Sequence, residues 1–176
     1  MRSVFFYEFD RLCKRWFDDG PGGMAVGIAE EDGAITELFF ENHVPAGFAK
    51  AEAAGETRRL ETPLIKEAAL QVEKYLAGKL REFSLPLVLH GTEFQAAAWR
   101  ALQTVPYGQT RSYKDMAEQI GRPKAVRAVG LANNRNPISI IVPCHRVIGH
   151  NGALVGYGGG LPLKRYLLDL EQGSLG

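Results

Sequence analysis

The chain has 176 residues, enough for one ordinary domain or two small ones. Hydrophobic residues make up 45% and charged residues 23%, a globular balance that excludes global disorder. No apolar run approaches the length of a membrane span, and the N-terminal MRSVFFYEFDRLCKRW takes up charge too early for a signal peptide. The two cysteines form no disulfide framework, which points to a reducing, cytoplasmic compartment.

The net charge of +1 hides an asymmetry. Residues 1–86 carry 11 basic and 15 acidic side chains, whereas residues 87–176 carry 10 and 5. A basic half on a near-neutral protein suggests a polyanionic partner for that half.

In chain order, MAVGIAEEDGAITELFF places two apolar segments around Asp32-Gly33, a strong hairpin signal. Residues 43–60 lack a clean period and read as a loop or weak helix. Thr62-Pro63 opens a helix with Ile65, Ala68, Val72 and Tyr75 on one face, and Gly78 ends it. FSLPLVLHG (83–91) reads as a short strand and a linker. This places a domain boundary near Pro86, giving domains 1–86 and 87–176.

The second half reads as mainly helical. Thr92-x-x-Gln95 is a capping box before Phe94, Ala98, Leu102 and Val105. Pro106-Tyr107-Gly108 breaks the chain, and Ser112-x-x-Asp115 starts a second helix. Gly121-Arg122-Pro123 turns it into a third, from Lys124 to about Asn133. Two short helices across a glycine-containing turn match a helix-turn-helix. Residues 140–142 (IIV) read as a short buried strand, VGYGGG (155–160) as a flexible loop lining a pocket, and Pro162 as the opening of a last helix.

Two stretches carry candidate chemistry. The third helix presents Ala125, Ala128 and Ala132 on one side with Arg127 projecting among them. Asn133, Asn134, Arg135 and Asn136 follow at its end. Small side chains allow close approach to another surface, and the local basic charge favours a nucleic acid. The second stretch is Pro143-Cys144-His145-Arg146. Proline stiffens the approach to the thiol, and the basic neighbours favour its reactive thiolate form. In an extended chain His145 and Cys144 point to opposite sides, so a bridging water is the expected link between them. An acid must orient His145, and Glu93, Asp115, Glu118, Asp169 and Glu171 are all available. Cys13, Cys144, His43, His90, His145 and His150 show no zinc-pair spacing, so neither metal nor cofactor is expected.

The blocks TEFQAAAWRALQTVPYGQTRSY, GRPKAVRAVGLANNRNP, IIVPCHRVIG and GYGGGLPLKRYLLDLE resemble the O6-alkylguanine-DNA alkyltransferases, or methylated-DNA–protein-cysteine methyltransferases. They cover almost all of residues 92–171, while the N-terminal part matches only loosely. The resemblance implies an α/β (α+β) chain. Its N-terminal domain would have a ribonuclease H-like small sheet plus helix, and its C-terminal domain would be a helical, winged-helix-like DNA-binding module.

The resemblance also implies roles. Cys144 would take the alkyl group from O6-alkylguanine, possibly also from O4-alkylthymine, irreversibly and once. His145 would activate the thiol through water and Glu171 would orient His145. Tyr113 would act on the flanking phosphate and the base, and Asn136 would brace the active-site turn. Arg127 would fill the gap left by the flipped base, with Ala125 and Ala128 in a minor groove and Lys124, Asn134 and Arg135 beside the DNA. Backbone groups of Cys144, Val147 and Gly158 would hold the guanine edge, Ser139 would help set the pocket width and Lys164 would help close the pocket. The implied partner is double-stranded DNA bound by a monomer, with no membrane. Cys13 has no cysteine partner, so the structural zinc of some relatives is not expected. The rival readings are a helix-turn-helix damage sensor or regulator, and a thiol hydrolase or redox enzyme.

Overall fold

A computed structural model describes residues 1–9 and 25–174, so Cys13 lies outside the described residues. The chain divides into two compact units, Met1–Val88 and Leu89–Gly176.

In the first unit, β1 (Arg2–Glu8), β2 (Ala25–Glu31), β3 (Ala34–Phe40) and β4 (Thr57–Arg59) form a sheet in the order β3-β2-β1-β4. β2 pairs antiparallel with both β1 and β3, and β4 lies parallel to β1. The expected hairpin is present. Asp32 and Gly33 turn it with φ of 51° and 79°, the left-handed pair that a two-residue loop requires. Gly27 lies under the Phe39 ring, where a Cβ would come within 2.5 Å of the ring atoms. On that side Phe48 stacks on Phe39 at a centroid distance of 4.7 Å and joins Val4 and Ala29 in one cluster. Phe48 comes from α1 (Ala46–Ala53). Helix α2 (Pro63–Leu76) begins where Thr62 accepts a hydrogen bond from the Ile65 amide. Its predicted apolar face, Ile65, Ala68, Val72 and Tyr75, is fully buried, and the helix packs on β2 and β3.

Two expectations are corrected here. Residues 43–60 hold a formed helix and a parallel edge strand. β4 reads Thr-Arg-Arg, which has no apolar alternation; beside the backbone ladder, Arg58 Nε donates to Ser3 Oγ at 3.1 Å and Arg59 lies over the Phe6 ring. The segment around Leu87 is a single parallel bridge to Ile35, since Pro86 has no amide to extend a ladder.

The second unit is built on α3 (Glu93–Leu102), α4 (Tyr113–Gln119), α5 (Val126–Asn134) and α6 (Gly160–Glu171). Both predicted capping boxes are formed, at Thr92/Gln95 and at Ser112/Asp115. Trp99 anchors α3 to α5 by donating its indole N–H to the Ala132 carbonyl at 2.8 Å. α4 packs on α5 across the turn at Gly121, whose φ is +68°, as a helix-turn-helix pair. α5 starts at Val126, two residues later than expected, because a turn at Ala125 precedes it. A two-residue parallel pair, β5 (Arg111–Ser112) with β6 (Val147–Ile148), ties the start of α4 to the chain just after Cys144.

The predicted strand at 140–142 does not form. Ile140 adopts φ of +70°, a position rarely occupied by a β-branched residue. The Val142 amide turns back to the Ile138 carbonyl at 2.9 Å. The segment is buried between Pro137 and Pro143 with no partner strand, so its backbone groups are satisfied by turns.

Phe48→Ala removes the centre of the outer cluster. We expect it to lower the unfolding free energy by about 3–5 kcal/mol in a urea titration.

Candidate active site

Cys144, His145 and Arg146 form one turn of 3-10 helix, closed by the Arg146 amide on the Pro143 carbonyl at 3.1 Å. This replaces the extended geometry expected from sequence. With about three residues per turn, consecutive side chains leave in three directions. One structure therefore serves three tasks: the thiol faces a cavity, the imidazole reaches Glu171, and the guanidinium clamps the same carboxylate.

Asn136 holds the turn from below. Its Nδ2 donates to the Val142 carbonyl at 2.7 Å and to Cys144 Sγ at 3.2 Å, and its Oδ1 accepts from the Ile138 amide at 3.1 Å. The residue expected to brace this turn touches both its backbone and its sulfur.

Glu171 ends α6, where a carboxylate meets the negative pole of the helix dipole. Three neighbours offset that cost. Arg146 donates Nε to Glu171 Oε2 at 2.9 Å and Nη2 to Oε1 at 2.9 Å, a bidentate pair. The Gly108 amide donates to Oε2 at 3.0 Å. His145 Nε2 lies 2.9 Å from Oε1. A carboxylate can only accept, so Nε2 carries the hydrogen and Nδ1 carries the lone pair. Of the five acids that the sequence left open, Glu171 is the one on His145. Gly108 is required here: its φ is +75°, and a Cβ would press the Glu171 carbonyl at 3.0 Å.

Burial pushes the His145 pKa down, against the upward pull of Glu171, so the ring is neutral at neutral pH. Burial also pushes the Cys144 thiol above its ordinary value of 9.0; Asn136 and Lys164 pull it back only in part. This corrects the expectation that the basic neighbours make a resting thiolate. Arg146 is engaged by Glu171 and the Val105 carbonyl, away from the sulfur. The resting group is a protected thiol.

The cavity that Cys144 faces has a volume of about 310 Å³. Its walls include Tyr113, Arg127, Gly130 and Asn133 on one side and Val155 and Tyr157 on the other. Tyr113 donates its hydroxyl to the Val155 carbonyl at 3.0 Å. Burial raises its pKa, which keeps the phenol protonated. Lys164 is fully buried and donates to the carbonyls of Val147 at 2.7 Å and Val155 at 2.8 Å. Desolvation lowers its pKa to about 8.

The other expected residues fall into two groups. Ser139, Val147, Gly158 and Lys164 do not line the cavity. Ser139 and Val147 are buried behind the turn, and Lys164 acts on the loop that forms the far wall. Within the 155–160 loop expected to line the pocket, Val155, Gly156 and Tyr157 form that wall. On α5, Arg127, Ala128, Asn134 and Arg135 are exposed, as is Lys124 just before it, and Ala125 is half-buried. Ala132 points inward, and exposed Leu131 takes its place on the outer face. Among the described residues, no group of three or more His, Cys, Asp or Glu is placed to hold a metal ion. No helix among them is long and apolar enough to cross a membrane.

Two measurements check this geometry. Iodoacetamide should modify Cys144 slowly at pH 7.5, and its rate should rise only at a higher pH than for an ordinary exposed cysteine, because burial holds the thiol protonated. Glu171→Gln leaves Arg146 buried without its counter-charge, and we expect it to cost about 3–5 kcal/mol in chemical denaturation.

The chain matches two family models, "6-O-methylguanine DNA methyltransferase, ribonuclease-like domain" over residues 26–89 and "6-O-methylguanine DNA methyltransferase, DNA binding domain" over residues 93–173. A methylated-DNA–protein-cysteine methyltransferase of Methanosarcina barkeri is 53% identical over 126 residues, covering 67% of this chain and 80% of its own. The constitutive enzyme of that name from Bacillus subtilis is 49% identical over 146 residues, covering 82% of this chain and 87% of its own. The crystal structure of the Mycobacterium tuberculosis O6-methylguanine methyltransferase superposes with a TM-score of 0.78 at 40% identity, covering 98% of this chain and 94% of that one. The same mycobacterial protein in complex with DNA gives 0.78 at 41% identity, covering 97% and 93%. With both halves matched in order and relatives aligned over most of their length, the chain belongs to the 6-O-methylguanine-DNA methyltransferase family.

Proposed function

We propose that this protein repairs DNA by transferring the alkyl group of O6-alkylguanine, with O4-alkylthymine as a lesser substrate, to its own Cys144, once and irreversibly. The observation that carries this reading is a protected thiol on the wall of a base-sized cavity, backed by an oriented histidine and opening beside Arg127.

Sγ attacks the alkyl carbon from the side opposite O6. The S–C bond forms as the C–O6 bond breaks, and the bonding pair passes to the guanine. His145 Nδ1 takes the thiol proton through a water, and the Glu171 carboxylate stabilises the imidazolium. The departing guanine takes a proton from the Tyr113 hydroxyl, and the phenolate recovers one from the imidazolium through water. The proton count closes: the cysteine loses one and the guanine gains one. Nothing in the site attacks the thioether, so the protein is consumed. Two features support this proton path: the Nε2–H tautomer imposed by Glu171 and the protonated state of Tyr113.

The reactive carbon lies inside the duplex, so the base must leave the stack at a cost of a few kcal/mol. Arg127, exposed on α5 and part of the cavity wall, takes the place of the base. Ala125, Ala128, Lys124, Asn134 and Arg135 surround it on a face with few bulky side chains, which suits a minor groove. Asn136 positions the sulfur, and Lys164 holds the loop that closes the pocket through the carbonyls of Val147 and Val155. Ser139 and Gly158 act behind these walls, by fixing the turn and the start of α6. Residues 1–86 form the ribonuclease H-like domain and 87–176 the DNA-binding and transfer domain of a cytoplasmic monomer acting on double-stranded DNA.

After mixing with a duplex carrying O6-methylguanine, mass spectrometry should find one added methyl, on the peptide holding Cys144, saturating at one per chain. Transfer beyond one equivalent would contradict the single-use mechanism. Cys144→Ala should bind the duplex and transfer nothing. Arg127→Ala should slow transfer about tenfold or more, equivalent to ~1.4 kcal/mol of the flipping cost.

A further inference from the structure

Asn133 is on the inner side of the last turn of α5, 6% exposed, and forms part of the cavity wall near Cys144. Among the described residues, neither its Oδ1 nor its Nδ2 has a hydrogen-bond partner, although both atoms are buried. A buried carboxamide without partners is costly, and a fold with no use for it is better served by leucine. Its neighbours behave differently. The Asn136 carboxamide is engaged at both ends by the active-site turn, and Asn134 is on the exposed face. The remaining wall is mainly apolar, formed by Val126, Gly130, Val155 and the rings of Tyr113 and Tyr157. Asn133 is thus a buried polar group at a mainly apolar pocket, with both its donor and its acceptor uncommitted among the described residues.

Resting on the reading above, we propose that Asn133 reads the extrahelical base. Its Oδ1 accepts a hydrogen bond from the exocyclic 2-amino group, and its Nδ2 donates to an adjacent ring nitrogen. The chemistry of the base selects this pairing. Alkylation at O6 leaves N1 without a hydrogen, so the 2-amino group is the base's one N–H donor, flanked by the acceptors N1 and N3. A carboxamide presents the complementary donor and acceptor side by side, as asparagine does against adenine. An O4-alkylated thymine has no N–H donor and leaves Oδ1 unsatisfied. Asn133 therefore favours the purine lesion.

The test compares wild type with Asn133→Leu on two duplexes, one carrying O6-methylguanine and one carrying O6-methylhypoxanthine, which lacks only the 2-amino group. Wild type should react about tenfold or more faster with the first. The variant should lose about that factor on O6-methylguanine, change little on O6-methylhypoxanthine, and unfold at a denaturant midpoint equal to or above wild type. Asn133→Met serves as a second variant if leucine does not fit. An equal loss on both duplexes, or wild-type rates on both, overturns the proposal, as does a lowered midpoint with the base preference intact, which would mark a structural asparagine. A wild type that methylates Cys144 while the variant keeps its preference sinks this inference alone. A wild type that transfers nothing sinks the reading beneath it as well.

Discussion

The carboxylate of Glu171 receives hydrogen bonds from the Gly108 amide and Arg146 and lies on the His145 ring, all from its place at the end of α6. Three stretches of chain far apart in sequence are fixed relative to one another by its two oxygens. The Arg146 guanidinium and the Gly108 amide can only donate, so both carboxylate oxygens act as acceptors, and the tautomer of His145 follows from that. The position of the ring, the direction of its lone pair and the closure of the loop before α4 thus depend on one buried ion pair. Such a pair is weak evidence for stability, because desolvation cancels much of its attraction. Here it has a use beyond stability, since an apolar replacement could not set a tautomer.

The same economy governs the sulfur. A thiol on a basic motif invites the assumption of a standing thiolate. Burial outweighs the Asn136 hydrogen bond and the Lys164 charge and keeps the proton on. A single-use nucleophile gains from this, because a resting thiolate would be spent on any passing electrophile. In the proposed mechanism, activation is deferred until a substrate places its leaving group in the pocket and the neutral His145 accepts the proton. Selectivity thus arises from coupling deprotonation to occupancy rather than from intrinsic reactivity.

Much of this was legible in the sequence where local rules decide. Asp32-Gly33 forced the hairpin, Thr92/Gln95 and Ser112/Asp115 capped their helices, and the face of α2 followed its 3.6-residue period. Misreadings occurred where tertiary context prevails. β4 is a strand because β1 offers a backbone edge, which its Thr-Arg-Arg side chains do not advertise. Residues 140–142 have strand composition, yet prolines on both sides and the hold of Asn136 bend them into turns. Arg146 looked like a partner for the thiol because it is close in sequence; the 3-10 turn sends it to Glu171 instead. The 155–160 loop was expected at the pocket, with Gly158 singled out by the family resemblance. Position along the loop decides instead, and it places Val155 to Tyr157 at the cavity.

Helix α5 shows why so short an element can join recognition to chemistry. Its outer face carries Arg127, Ala128, Leu131, Asn134 and Arg135, while Val129, Ala132 and Asn133 turn inward. A groove-facing helix must be slim on one side, and a pocket wall must be shaped on the other. At 3.6 residues per turn one residue cannot serve both, so the sequence alternates between the tasks. Gly130 is at the seam, where a Cβ would stand 3.8 Å from the Tyr113 ring, in ordinary contact, so that a larger side chain would fill space the base needs. Seated against Trp99 through the Ala132 carbonyl, the helix has little freedom to shift. The exposed face that carries Arg127 and the cavity wall that carries Asn133 are therefore parts of one anchored helix, so a displacement of one is transmitted to the other.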